Sequence, residues 1–269
     1  LLFLVATPIG NLLDITLRAL EVLKSVDLIL CEDTRHSAPF LRHYGIEAAL
    51  MSYEQFSEKS KLEKILEMLQ SGKNIALISD AGTPAVSDPG ALLVKNCIEK
   101  NLSVQSLPGA AAPIVAYSLL GTMKPFQFIG FFPKKGGEQS ELFKQIQFYP
   151  GITIFFESPH RILKTIESIP FDCKITLFRE LTKKFEERIE GTKHQILEIL
   201  NKKEHLGELV VAIEPSAIPS QDSEALFFAK DLISNHGLSL SSAAKIAAEH
   251  FKVKKQPLYE KLNQELKNS

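Results

Sequence analysis

The sequence predicts an α/β protein made of two consecutive α/β units and a small helical one. Three observations predict this. Short, nearly continuous apolar runs alternate with helical patterns over the first 120 residues; the same alternation restarts after Gly121–Pro125; and only helical patterns remain beyond residue 223. With 269 residues the chain is long enough for a substantial core and two or three domains.

In the first unit, taken as residues 1–121, strands are expected at Leu2–Ala6, Leu28–Cys31, Ile75–Ser79 and Leu102–Leu107. Their continuous apolar character suits strands buried on both faces, and strand–helix alternation predicts a mostly parallel sheet. Ile15–Val26 has helical spacing, and Leu62, Ile65, Leu66 and Leu69 follow at i, i+3, i+4 and i+7 behind a Ser60–Glu63 capping box. Asp88 before Pro89 reads as the N-cap of a third helix through Val94, Cys97 and Ile98. The second unit, residues 122–215, should hold strands at Phe126–Phe132, Ile152–Phe156, Lys174–Phe178 and Glu208–Ile213. Its helices are expected over 138–148, from Ser158–Pro159, and from Thr192, where Gln195 completes a capping box. Glu214–Ser223, rich in Pro and Ser, reads as a linker. Helical patterns at Glu224–Ser234, Ser241–Phe251 and Pro257–Lys267 make up the 223–269 unit, which is too short for a robust core of its own and is expected to pack on the rest or mediate contacts.

Composition narrows the class. A chain 45% hydrophobic and 23% charged is globular, not disordered. Cys31, Cys97 and Cys173 lie far apart and form no CxxC, which argues against a disulfide scaffold or a thiolate metal cage and favours the cytoplasm. No metal site is expected. No apolar run approaches the ~20 residues of a membrane helix, so no membrane partner is expected. The chain does not begin with Met, and a start upstream of Leu1 is expected. Net charge is −1, so a polyanionic partner would have to meet local clusters such as Lys134–Lys135, Lys183–Lys184 or Lys252–Lys254–Lys255.

The chain carries no GxGxxG after a strand, no GxxxxGK[ST], no HExxH and no GxSxG, so nicotinamide dehydrogenases, P-loop enzymes, zinc peptidases and α/β-hydrolases lose ground. It does place small-residue loops just after strands: Thr7–Leu12, Glu32–His36, Ser79–Pro84 with Ser87–Gly90, and Pro108–Pro113. Ligands of open α/β sheets bind outside the carboxyl ends of the strands, and Gly, Ala and Pro there let backbone approach a ligand closely. Four such loops on one edge describe a cleft for a flat, moderately polar ligand. Polar clusters also end strands of the second unit, at Glu157–Arg161 and at Arg179–Lys183.

Thr7-Pro8-Ile9-Gly10-Asn11-Leu12 with Asp14-Ile15, Glu32-Asp33-Thr34-Arg35, Ser79-Asp80-Ala81-Gly82-Thr83-Pro84 with Ser87-Asp88-Pro89-Gly90, Glu157-Ser158-Pro159-His160-Arg161 and Arg179-Glu180-Leu181-Thr182-Lys183 resemble, in order and spacing, the RsmI family. These are bacterial small-subunit (16S) ribosomal RNA 2′-O-ribose (cytidine) methyltransferases of the tetrapyrrole-methylase superfamily. The resemblance covers residues 1–215 strongly, and 223–269 is similar to the family's helical tail. It implies S-adenosylmethionine (SAM) in a cleft between the two α/β subdomains, a homodimer, and the 30S subunit or its RNA as partner. By position it implies that Pro8, Ala81, Gly82, Thr83, Val86, Ala111, Ala112, Phe156 and Leu181 line the cofactor site. The chain departs from the family in reading Pro108-Gly109-Ala110-Ala111-Ala112 where Pro-Gly-x-Ser-Ala is usual. A hydroxyl able to bond the cofactor is therefore absent at Ala111. Gly136-Gly137-Glu138-Gln139 also replaces the usual arginines after Lys135.

A sulfonium methyl is an activated electrophile, so alignment of the incoming oxygen is the main task. The ribose hydroxyl needs a proton acceptor. Asp33, Glu32, Glu157, Glu180 and Lys183 are candidates, with Asp33 and Glu157 favoured because each ends a strand facing the expected cleft. Arg35, Arg161 and Arg179, with His160 and Lys183, are the expected RNA contacts, since a guanidinium binds phosphate as a planar fork. Two other readings share the superfamily fold or cleft: a SAM methyltransferase acting on a tetrapyrrole, and a binding protein without catalysis.

Overall fold

The computed structural model describes residues 1–54, 58–202, 207–216 and 221–267. The first sheet is formed by β1 (Leu2–Val5), β2 (Leu28–Cys31), β3 (Leu50–Ser52), β4 (Ile75–Leu77) and β5 (Val104–Leu107), ordered β3-β2-β4-β1-β5. Every pairing in it is parallel. Alternate side chains supply two cores. Leu28 and Leu30 face α3 (Glu58–Gln70) and α4 (Ala91–Glu99), whereas Ile29 and Cys31 face α1 (Leu17–Ser25) and α2 (Thr34–His43). The doubly covered sheet is what the continuous apolar runs require.

The second sheet comprises β6 (Phe126–Phe131), β7 (Ile152–Glu157), β8 (Cys173–Arg179), β9 (Glu187–Thr192) and β10 (Leu209–Pro215), ordered β6-β7-β10-β8-β9. Only β6–β7 is parallel; the other three pairings are antiparallel. One face packs on α6 (Gly136–Phe148), α7 (Ile162–Ser168) and α8 (Lys193–Lys202). The other face is covered by Ala116 of α5 (Ala112–Leu119) and by Ile9, both from the N-terminal segment. That shared core, with Ile154, Phe178, Val210 and Ala212 opposite, sets the strand ends of the two sheets side by side.

Two expected caps are corrected. Glu58 already opens α3, so Ser60 lies inside its first turn, not ahead of it. Gly90, at φ 129°, precedes α4 in place of Asp88, which leaves the Asp88 carboxyl for the cleft below. The Thr192–Gln195 box is present: Gln195 Oε1 accepts the Thr192 amide at 2.9 Å and Thr192 Oγ1 accepts the Gln195 amide at 3.4 Å. β3 and β9 escape sequence reading, because β3 (Leu-Met-Ser) is only half-buried, unlike the equally short but fully buried β4, and β9 is a charged edge strand, Glu-Arg-Ile-Glu-Gly-Thr. Helices α2 and α5 begin inside segments expected as loops. Part of the expected linker, 217–220, lies outside the described residues.

Helices α9 (Gln221–Ser234), α10 (Leu240–Phe251) and α11 (Lys255–Lys267) enclose their own core of Ala225, Ala229, Ala243, Ala244, Ala247, Ala248, Leu258 and Leu262. Alanines let the helix axes approach closely, so this short segment buries more than its length suggested. It also touches the second sheet's helices, with Phe227 5.5 Å from Phe148 and Lys144 over the Phe227 ring.

Candidate active site

Hydrogen bonds stitch the strand-end loops into one rim. Thr7 and Gly82 exchange backbone bonds, Thr7 N to Gly82 O at 2.9 Å and the reverse at 3.1 Å, while the Thr7 hydroxyl donates to the Ser79 carbonyl. The Thr83 hydroxyl donates to the Ala110 carbonyl at 3.1 Å, joining the third loop to the fourth. From the second sheet, the Thr182 hydroxyl accepts the Asn11 amide at 3.1 Å. Ala85, Ser87, Glu180 and Thr182 all hold left-handed backbone (φ 55–66°). Such conformations cost about 1–3 kcal/mol each and persist where the surroundings over-determine them, often at functional sites.

The rim encloses a cleft of about 370 Å³. Ala81, Gly82, Thr83, Val86, Ala111, Ala112, Phe156 and Leu181 line it, which is every expected cofactor residue except Pro8. Pro8 lines an adjoining groove of about 700 Å³. The two share Ile9, Asp80, Ala81 and Glu208 as a common wall. Sequence reasoning did not assign Phe131, Val210, Asp80 or Asp88 to the cleft. The two aspartates stand inside the quoted motif, but their approach to Glu32 requires β2 and β4 to be neighbours.

That approach has electrostatic consequences. Burial, reinforced by the charges of Asp88 and Asp80 and partly offset by a hydrogen bond from the Asp80 amide, pushes Glu32 up to about 7. Burial and Asp80 push Asp88 up to about 6 against a hydrogen bond with Ser79. These groups line the cleft together with Glu157 and Glu208, and its remaining walls are mainly apolar rings, small side chains and backbone. Such a donor set suits a ligand with a flat apolar part and a cationic part, which is the chemistry of a nucleoside sulfonium. Gly82, at φ 84°, has Ile9 and Ala110 within 3.5 Å of the position a Cβ would take, so backbone, not side chain, forms that wall.

The remaining expected residues divide by environment. Glu157 lines the cleft but is buried, accepting the Ser158 amide at 2.7 Å and the Thr165 hydroxyl at 2.6 Å, with Arg161 at 3.4 Å. Asp33 lines neither cavity. It caps α2, and the Arg35 guanidinium and amide hold it down to about 2. Arg161 donates to the carbonyls of Phe132 and Pro133, and Arg179 pairs with Glu187 at 2.8 Å. Both guanidiniums are thus engaged within the chain and line neither cavity. His160 is exposed but borders neither cavity. Arg35, with its side chain 89% exposed, and Lys183 do line the groove, Lys183 tied to Glu180 and Glu208 at 3.0 and 3.1 Å.

Two α/β sheets packed through a shared core, with a cleft at their strand ends, define the tetrapyrrole-methylase class. A family model described as Tetrapyrrole (Corrin/Porphyrin) Methylases matches residues 1–197. The uroporphyrin-III C-methyl transferase of Thermus thermophilus, solved in complex with S-adenyl homocysteine, has the same fold, with a TM-score of 0.55 at 15% identity over 79% of this chain and 96% of its own. Sequence likeness is far greater to proteins named ribosomal RNA small subunit methyltransferase I. That of Escherichia coli O157:H7 is 41% identical over 96% of this chain and 93% of its own, and that of Bacillus subtilis (strain 168) is 39% identical over 97% and 93%. The chain belongs to the ribosomal RNA small subunit methyltransferase I family and is a methyltransferase.

Proposed function

We propose that this protein transfers a methyl group from SAM to the ribose 2′-hydroxyl of a cytidine in small-subunit (16S) ribosomal RNA. The observation that carries this reading is the acid-lined cleft with its small-residue rim at the strand ends, in a chain whose near-full-length relatives are named for ribosomal RNA. The fold is shared with a tetrapyrrole enzyme only at 15% identity, so it lends the tetrapyrrole alternative no support on substrate.

Bound SAM supplies an activated methyl and a cationic sulfur. The chain's part is to hold, align and take a proton. Ala81, Gly82, Thr83, Ala111 and Ala112 offer backbone, Phe131 and Phe156 offer apolar faces, and Glu32 and Asp88 offer negative charge. Asp80 stands on the wall common to cleft and groove, where a hydroxyl entering from the groove meets a methyl held in the cleft. We assign it the hydroxyl proton. Glu32, which accepts the Asp80 amide, positions it. With SAM bound, the Asp80 carboxylate would take the proton of the hydroxyl as that oxygen accepts the methyl, and the sulfonium would leave as the neutral thioether. Glu157, one of the two sequence-favoured bases, shapes the cleft through Thr165 and Arg161, and Asp33 shapes α2.

The division into 1–121, 122–215 and 223–269 belongs to the same proposal, the third part being an appendage with its own core. So does a homodimer, supported by the exposed Leu13 and Leu17 beside the rim (87% and 81% exposed). Action on ribosomal subunits and three unpaired, buried thiols favour the cytoplasm. The test is tritiated methyl transfer from SAM to 30S subunits from cells lacking this enzyme, with ribose methylation mapped in the product. Label on a cytidine 2′-oxygen is expected; label on neither RNA nor subunit overturns the reading.

A further inference from the structure

Resting on that reading, we propose that the groove beside the cofactor cleft seats the target nucleotide, with its base stacked on one face of α2. His36, Phe40 and His43 fall at i, i+4 and i+7 of this helix and all line the groove. The face is braced. Tyr44 meets the Phe40 ring edge-on at 5.3 Å and the His43 ring at 4.8 Å, and its hydroxyl donates to the Leu12 carbonyl on the opposite side of the groove. Single-stranded nucleotides are held by stacking their bases on such rings.

Two further features suit an RNA nucleotide. Pro39 has no amide hydrogen for the Arg35 carbonyl four residues back, so a groove-lining helix carries a carbonyl without its helical partner, an acceptor for a base amino group. The Arg35 guanidinium is pinned by Asp33 at 2.7 Å yet stays 89% exposed, which fixes a cation at the groove for the phosphate chain. At about 700 Å³ the groove holds a nucleotide and part of a neighbour. Its common wall with the cleft, at Asp80 and Ala81, puts a ribose in the groove against a methyl in the cleft. The nucleotide must leave its duplex to enter, so recognition favours unpaired or flipped bases.

The experiment uses the full chain and unmethylated 30S subunits, with SAM affinity measured by calorimetry on the same preparations. His36→Ala and His43→Ala change exposed side chains and leave the core intact. Each is expected to lower kcat/KM for 30S by about 10–100-fold, mainly through KM, with SAM affinity unchanged. His36→Phe, which keeps a ring, is expected to restore most of it. Wild-type kinetics in both alanine variants would overturn the proposal, as would a loss of SAM affinity matching the loss of activity. If the wild-type protein itself methylates no 30S RNA, the functional reading fails first, an outcome separable from failure of the groove alone.

Discussion

Gly10 lies against Lys183 so closely that a Cβ there would overlap the lysine's Cγ and stand 2.9 Å from the Leu181 carbonyl. The first-sheet loop and the loop after β8 therefore meet through a missing side chain. Gly10→Ala is expected to cost about 1–3 kcal/mol by overpacking and to weaken SAM binding by parting the two halves of the rim. Thermal unfolding and calorimetry check this together; wild-type values in both would mean that the rim is slack.

Glu32 links stability to pH. Its folded value, about 7, lies above the ordinary 4.5, so the folded state holds the proton more tightly than the unfolded chain. The associated stability is fully present below pH 4.5 and is lost as pH rises through 7. Glu32→Gln, neutral throughout, is expected to be more stable than wild type at pH 8 by about 1–2 kcal/mol, the full linkage discounted for partial solvent screening. The difference should vanish near pH 4.5. Urea melts at the two pH values decide it.

The same ionisations govern the cofactor. A cationic ligand favours the charged forms of Glu32 and Asp88, whose values are raised to about 7 and 6. SAM should therefore bind more tightly as pH rises from 5.5 to 8, by about 5–30-fold. Glu32→Gln should flatten that dependence. Calorimetric titration across the range would show the slope, and a flat wild-type profile would separate the acids from the ligand.

Ala111 is the N-cap residue of α5, with extended backbone and no side-chain cap bond. The hydroxyl usual at this position in the family would cap the helix as well as face the cleft. Ala111→Ser is expected to raise stability by about 0.5–2 kcal/mol, seen as a higher Tm without ligand.

Arg161 and Arg35 should part company. Arg161 ties two carbonyls to a Glu157 side chain that is fully buried, so Arg161→Ala is expected to cost about 2–4 kcal/mol and leave the salt dependence of RNA binding alone. Arg35→Ala should leave stability nearly unchanged and reduce the salt slope of 30S binding by about 1. Denaturation and filter binding at several salt concentrations distinguish them.

Much of this was readable in advance. Continuous apolar runs such as Leu28–Cys31 announce a strand buried on both faces because burial acts on each residue locally. The loop motifs announced the cleft because close backbone approach demands small residues. Less legible were β9, whose charges suit an exposed edge, and the Asp88 carboxyl, which a helix-start pattern assigned to a cap.

Periodicity and motif order by themselves determined the α/β class and the small-residue rim, and the family resemblance named eight of the residues that line the cleft, since those properties reside in short stretches of chain. Tertiary structure alone decided which charged side chains are available. Arg161 and Arg179 read as free forks in the sequence, but packing brings Pro133 and Glu187 beside them, and Glu32 is an ordinary carboxyl until β4 carries Asp80 alongside it. A side chain's ionisation and reach depend on partners distant in sequence, and only packing brings those partners within a few ångströms.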